Sequence, residues 1–301
     1  MGTYLITGAT GGIGGAVAEL LRDRGHELIL TGRSPERLAA VQARLSGGAH
    51  ARTQEIRQVN ADRAPGGHGA PGPGTSGPGT SGPGTSGPGA TGPGATGPGA
   101  TGHGASGPGL DGGARTATDT RVTTLPLDLA APRRIEAALA VAGLPARLDG
   151  LVYAAGVAHL GRVVDTETDE WIEHLSVNLV SAAELTRLLL PALRAARGQI
   201  VYVNSTAGLR ANPRWSSYAA SKWGLRALAD SVRAEEPEIR VTSFFPGRTA
   251  TDMQRRIRTQ EGAAYDPSDF ASPESMARTV VAALETPRDA EVTEVTVRPR
   301  P

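Results

Sequence analysis

The chain has no cysteine among its 301 residues. That excludes a disulfide framework and thiolate metal sites, and it points to a reducing compartment. There is no run of lysine or arginine, and the formal net charge is +1, so charge suggests neither a nucleic-acid nor a membrane partner. No apolar stretch reaches the roughly 18–20 residues that span a bilayer. The N-terminal residues Met1 to Thr7 lack the basic segment that opens a signal peptide and go straight into a strand pattern. The expectation is a cytoplasmic protein without a metal centre.

Glycine is abundant but unevenly placed. From Gly72 the sequence reads GPGTS three times, GPGAT three times, GHGAS once, then Gly107-Pro108-Gly109. The period is five, and collagen requires three. Such a tract has no large apolar side chains to bury and cannot offset its ordering entropy. Residues 47–120 are therefore expected to be a disordered insertion, leaving 1–46 and 121–301 as one α/β domain.

The rest alternates between two periodicities. Strands are expected at 3–7, 26–31, 121–127, 148–153, 199–204, 239–244 and 291–297. Helices are expected at 13–24, 34–45, 132–142, 168 to about 195, 218–235 and 273–285, with Pro35 opening the second helix behind a Ser34 cap. This order implies a Rossmann-like doubly wound parallel sheet with helices on both faces. The insertion would then join a helix to a strand at the amino edge of the sheet. Ligands bind outside the carboxyl edge.

The first strand runs into Thr7-Gly8-Ala9-Thr10-Gly11-Gly12-Ile13-Gly14. Glycines there let the backbone turn tightly and approach a pyrophosphate, and the next helix offers unpaired N–H groups. An NAD site usually ends its second strand with an acid for the ribose 2′-hydroxyl. Here the strand ends Thr31-Gly32-Arg33-Ser34, with no acid. Arg33 and Ser34 suit a 2′-phosphate, so NADP is favoured; a solvated surface arginine is the plainer alternative. Asp128, followed by Leu129 after the third strand, can cap the helix ahead of Pro132.

Tyr218 and Lys222 stand four residues apart on one helix face. An ammonium beside a phenol lets the phenol exchange a proton near neutral pH. Lys222 is the only lysine in the chain; every other basic side chain, histidines aside, is arginine. A planar, permanently charged arginine would not fit between a ribose and a phenol. Ser205, at a strand end thirteen residues before Tyr218, can hold a substrate oxygen.

With these residues the chain resembles the classical short-chain dehydrogenase/reductase family. The resemblance covers nearly everything outside the insertion. The family's Asn-Ser-Tyr-Lys tetrad falls on Asn178, Ser205, Tyr218 and Lys222 in order and spacing. It implies that Tyr218 is the general acid/base, that Lys222 lowers its pKa and binds the nicotinamide ribose, that Ser205 orients the carbonyl, and that Asn178 holds a water. It also implies the other reading of Asp128, beside the adenine. The glycine loop fits the family's T-G-x-x-x-G-x-G. It fits the extended branch's T-G-x-x-G-x-x-G as well, but only 83 residues follow Tyr218, too few for that branch's substrate domain. Pro246-Gly247-Arg248-Thr249-Ala250-Thr251 matches P-G-x-x-x-T, the loop that holds the nicotinamide carboxamide near Thr249 and Thr251. Ala155-Gly156 ends the fourth strand, where the family reads N-N-A-G and this chain reads Tyr153-Ala154-Ala155-Gly156. Both asparagines are gone.

The implied activity is hydride transfer between NADP(H) and a carbonyl/alcohol substrate. A non-catalytic NADP(H) redox sensor on the same fold is the second reading, and a spacer or interaction role for the repeats the third. Substrate walls are expected from 207–215 and 251–270, with Trp215, Arg210 and His159 as candidates. The helix from Thr168 carries apolar residues on more than one stripe, which points to burial against a twin subunit in a homodimer or homotetramer.

Overall fold

The computed structural model describes residues 1–47 and 120–300. The insertion expected over 47–120 lies, apart from its two end residues, outside the described residues. β1 (Thr3–Thr7), α1 (Gly12–Asp23) and β2 (Glu27–Gly32) form the first βαβ unit, and α2 (35–47) follows. Next come β3 (Val122–Pro126), α3 (Ile135–Ala142), β4 (Gly150–Tyr153) and α4 (Thr168–Leu175). A π-helical turn, Ser176–Val180, leads into α5 (Ser181–Ala196). β5 (Gln199–Val203), α6 (Ser216–Glu235), β6 (Arg240–Pro246), α7 (Asp252–Gln260), α8 (Pro273–Leu284) and β7 (Glu294–Val297) complete the order.

The seven strands are all parallel, in the order β3-β2-β1-β4-β5-β6-β7. This is the Rossmann-like α/β architecture expected. Because side chains alternate across a strand, each strand feeds two cores. Tyr4, Ile6, Val152, Val201 and Val203 pack with α1, α2 and α8. Leu5, Leu151, Tyr153, Ile200 and Tyr202 pack with α3, α5 and α6. The strand order turns around between β1 and β4, and a crevice opens there at the carboxyl edge.

Two elements differ from expectation. The long helix from Thr168 is interrupted by the π turn, in which Ser181 N–H donates to the Ser176 carbonyl, five residues back. One extra residue in a turn shifts the helical phase by about 100°. Apolar residues before and after it therefore fall on different stripes without all being buried: Ile172 is 54% and Val180 45% exposed. The segment after Thr251, expected as a substrate wall, contains α7. It has few apolar residues, but Thr251 caps it by accepting from the Gln254 N–H at 3.2 Å.

Candidate active site

A cavity of about 610 Å³ occupies the crevice. Its floor is the glycine loop. Gly8 has φ +67, and a Cβ there would lie 2.9 Å from the Ala154 carbonyl oxygen. A Cβ on Gly14 would meet the Gly8 carbonyl at 2.6 Å, and one on Gly12 would meet Thr251 Cγ2 at 2.3 Å. At Gly8 and Gly14 the close neighbour is backbone, which cannot give way, so glycine is required there; at Gly12 it is a side-chain methyl. Gly11 caps α1 without a side-chain bond, so no capping side chain takes up the first N–H groups of α1. The cradle fits a dinucleotide pyrophosphate.

Gly8, Thr10, Gly12, Ile13 and Gly14 line the cavity, as do Leu129, Ala155, Gly156, Pro246, Gly247, Thr249 and Thr251. Thr7 is set behind it. Its hydroxyl accepts the N–H groups of Ala154 and Ala155, each at 3.0 Å, and so pins the end of β4 to β1. Asp128 does not line the cavity. Its carboxylate accepts from Ala130 N–H at 3.1 Å in a local turn, and Ala131, not Asp128, caps the next helical turn.

At the far end of β2, Arg33 lines the cavity and Ser34 does not. The Ser34 hydroxyl accepts from Arg37 N–H at 3.1 Å and donates to Glu36 at 2.7 Å, so it serves the start of α2. Arg37, which sequence reasoning missed, takes its place. It lines the cavity, and its guanidinium donates to the Thr10 carbonyl at 3.0 Å. Its spacing from Arg33, four residues on at the start of a helix, was the available signal.

Ser205, Tyr218 and Lys222 line the middle of the cavity. Ser205 opens the short helical turn after β5, and its hydroxyl accepts from Ala207 N–H at 3.1 Å. Tyr218 and Lys222 lie one turn apart on α6, both nearly fully buried. Lys222 Nζ donates to the Val203 carbonyl at 3.0 Å and lies 5.9 Å from the Tyr218 ring centre. Burial disfavours both charged forms. It raises the Tyr218 pKa, against a smaller lowering by the hydrogen bond from Ser205. It also brings Lys222 down to about 7.

Asn178 is fully buried in the π turn and does not line the cavity. Its amide donates to the Val157 carbonyl at 3.0 Å and to Ser221 Oγ at 2.9 Å, and its oxygen accepts from Val157 N–H at 2.9 Å. Both side-chain donors are spent on bracing. Ser221 in turn donates to the Tyr218 carbonyl at 2.7 Å, so Asn178 ties the reacting turn of α6 to the loop after β4. Tyr153, in place of the family's first asparagine, donates its phenol to the Val177 carbonyl.

Beyond Tyr218 the walls are Ala158, Ala207, Trp215, Met253 and Ile257. The Trp215 ring meets Tyr218 edge-on at 5.5 Å. Arg214, with φ 70, turns the chain so that Trp215 points inward; its carbonyl accepts from Gly161 N–H at 2.9 Å. His174 packs edge-on behind the phenol at 6.1 Å. It accepts His159 N–H on Nε2 and bonds the Glu170 carbonyl through Nδ1, the arrangement of a neutral ring. Arg210 and the His159 ring, both substrate candidates by sequence, lie outside the lining; His159 faces Glu173 at 3.4 Å. No helix among the described residues is long and apolar enough to cross a membrane, and no cluster there could hold a metal ion.

Residues 113–262 match the family model described as short chain dehydrogenase, and residues 2–64 match that of the KR domain. An uncharacterized oxidoreductase of Schizosaccharomyces pombe is 34% identical over 113 residues, 37% of this chain and 46% of its own. An uncharacterized short-chain type dehydrogenase/reductase of Sinorhizobium fredii is 34% identical over 160 residues, 51% of this chain and 64% of its own. The chain thus spans about half to two thirds of these relatives. Among solved structures, an alcohol dehydrogenase from the archaeon Thermococcus sibiricus complexed with 5-hydroxy-NADP superposes with a TM-score of 0.68. It is 21% identical, with 100% of this chain and 99% of that one covered, a likeness of fold.

Proposed function

Because the chain belongs to the short-chain dehydrogenase/reductase family, we propose that it interconverts a carbonyl and a secondary alcohol with NADP(H). The observation that carries this reading is the meeting of Ser205, Tyr218 and Lys222, its sole lysine, on one cavity with the glycine cradle. When bound, the reduced nicotinamide would supply a hydride, one proton with two electrons, to the carbonyl carbon.

The protein's own residues handle the oxygen. Ser205 donates a hydrogen bond to it, and Tyr218 Oη gives it the proton. The Val203 carbonyl holds Lys222 Nζ with its other N–H directions free for the nicotinamide ribose and the phenol. With a pKa of about 7, Lys222 both carries and releases a proton near neutrality. Its charged form would favour the phenolate left on Tyr218. Thr249 and Thr251 line the cavity and would face the nicotinamide, and Asn178 braces the reacting turn.

Arg33 and Arg37 favour NADP over NAD. Neither has a carboxylate partner among the described residues, and both line the cavity beside the end of β2. A homodimer or homotetramer remains part of this reading, supported by Val180 on the π turn and Trp223 on α6, each about half exposed. The reading is tested with a panel of carbonyls and alcohols followed at the NADPH absorbance band. Turnover of at least one carbonyl with NADPH, faster than with NADH, supports it; cofactor binding without turnover of any would return the sensor reading.

A further inference from the structure

The cavity beyond Tyr218 has a chemistry of its own, and reading it rests on the reaction just proposed. Around the hydroxyls of Ser205 and Tyr218 the wall is an apolar collar, of which Trp215, Met253 and Ile257 are the large members. The collar is held in place. Gln260, the last residue of α7, accepts Leu160 N–H on its side chain at 2.7 Å and the Arg214 guanidinium on its carbonyl at 3.0 Å. A preformed apolar wall selects a hydrocarbon body next to the reacting carbonyl.

The arginines of the α7 segment then differ in one respect. Arg248 pairs with Glu261 at 2.9 Å, Arg258 pairs with the same carboxylate at 3.0 Å, and Arg255 stacks on Tyr265 at 4.4 Å. Arg256 alone of the four has, among the described residues, no hydrogen bond, ion pair or ring contact, and it lines the cavity beside Ile257. Asp252, one turn earlier, is the only acid in the described lining, and no ion pair closes between the two. A free guanidinium presents a fork that matches a carboxylate. The nearby Asp252 lowers the net positive charge, which favours a monoanion over a dianionic phosphate.

We infer that the substrate is an oxo acid, or the hydroxy acid related to it, whose hydrocarbon body lies in the collar and whose carboxylate is bound by Arg256. The test compares 5-oxohexanoate with its methyl ester, using the intact protein and NADPH, in the unmodified enzyme and in Arg256→Gln. The expected result is an acid-to-ester ratio of kcat/KM that falls about tenfold in the variant, equivalent to about 1.4 kcal/mol. Equal use of acid and ester by the unmodified enzyme overturns the inference. So does a variant that loses NADPH affinity instead, because Arg256 would then serve the cofactor. Should no carbonyl be turned over, titration of hexanoate into the NADPH-loaded protein decides separately. Binding that is lost in Arg256→Gln supports the carboxylate site although the reaction has failed; no binding overturns it.

Discussion

The phenol of Tyr153, at the end of β4, donates a hydrogen bond to the main-chain carbonyl of Val177 inside the π turn. Both residues are buried, and Asn178 follows directly. The bond fixes the turn from which Asn178 braces Val157 and Ser221. Tyr153→Phe keeps the ring and leaves that carbonyl unpaired, so it should destabilise the protein by about 1–3 kcal/mol. Turnover should fall with it, because the Tyr218 turn loses its reference point. Denaturant unfolding and kcat measured on the same preparation check this. A variant of normal stability and rate would remove Tyr153 from the account.

Lys222 makes opposite demands on stability and activity. Its folded pKa of about 7 lies below the ordinary 10.5 of lysine. Between these values the unfolded chain holds a proton that the native one has released, so stability rises with pH across this window. Lys222→Met removes the cost of burying the charge. It should stabilise the protein by about 2–4 kcal/mol at pH 6, with the gain shrinking towards pH 10.5. Thermal unfolding of both proteins across pH 6–10 reads this directly. A gain independent of pH would contradict it. Lys222→Arg should be nearly inactive although it keeps a charge.

Cofactor choice should divide between two arginines and a serine. Arg33→Ala and Arg37→Ala should each weaken NADPH binding about tenfold or more and leave NADH binding nearly unchanged, since only NADPH has the 2′-phosphate. Ser34→Ala should instead cost about 0.5–2 kcal/mol of stability through its lost cap. Titration calorimetry with both cofactors distinguishes the three. An unmodified protein that binds NADH as tightly as NADPH would end this part of the account.

Replacing residues 62–119 with a short Gly/Ser linker should leave kcat, KM and NADPH affinity within about threefold, or about 0.65 kcal/mol. α2 is described as far as residue 47 and β3 starts at Val122, beside Leu28 near the amino end of β2. The cavity lies at the opposite, carboxyl edge. Loss of activity in a replaced protein that still folds would mean that the tract takes part in the site.

Much of this was legible in the chain because local chemistry and global fold agree at the relevant positions. The phosphate loop was readable because close backbone approach at Gly8 and Gly14 permits nothing larger, and Tyr218 with Lys222 read as a pair because i and i+4 share a helix face. The π turn was hidden: it is a slip of phase, which in sequence looks like a broad apolar helix. α7 was hidden because DMQRRIRTQ has two apolar side chains and owes its place to tertiary bonds. Its capping signal, Thr251 followed three residues later by Gln254, was present all the same. Ser34 and Asp128 had the right chemistry for a cofactor, but their oxygens are spent on local backbone N–H groups. Arg210 and Arg256 look alike in sequence, and the fold alone puts one of them at the cavity.

The central claim is that the Tyr218 phenol is the proton donor and not an anchor for the cofactor. Tyr218→Phe removes one oxygen and keeps the ring against Trp215. The decisive measurement is NADPH affinity and single-turnover reduction of a carbonyl, both on this variant and on the unmodified protein. The account predicts NADPH affinity within about twofold and a reduction rate lower by at least about a hundredfold. A near-normal rate in the variant would contradict it.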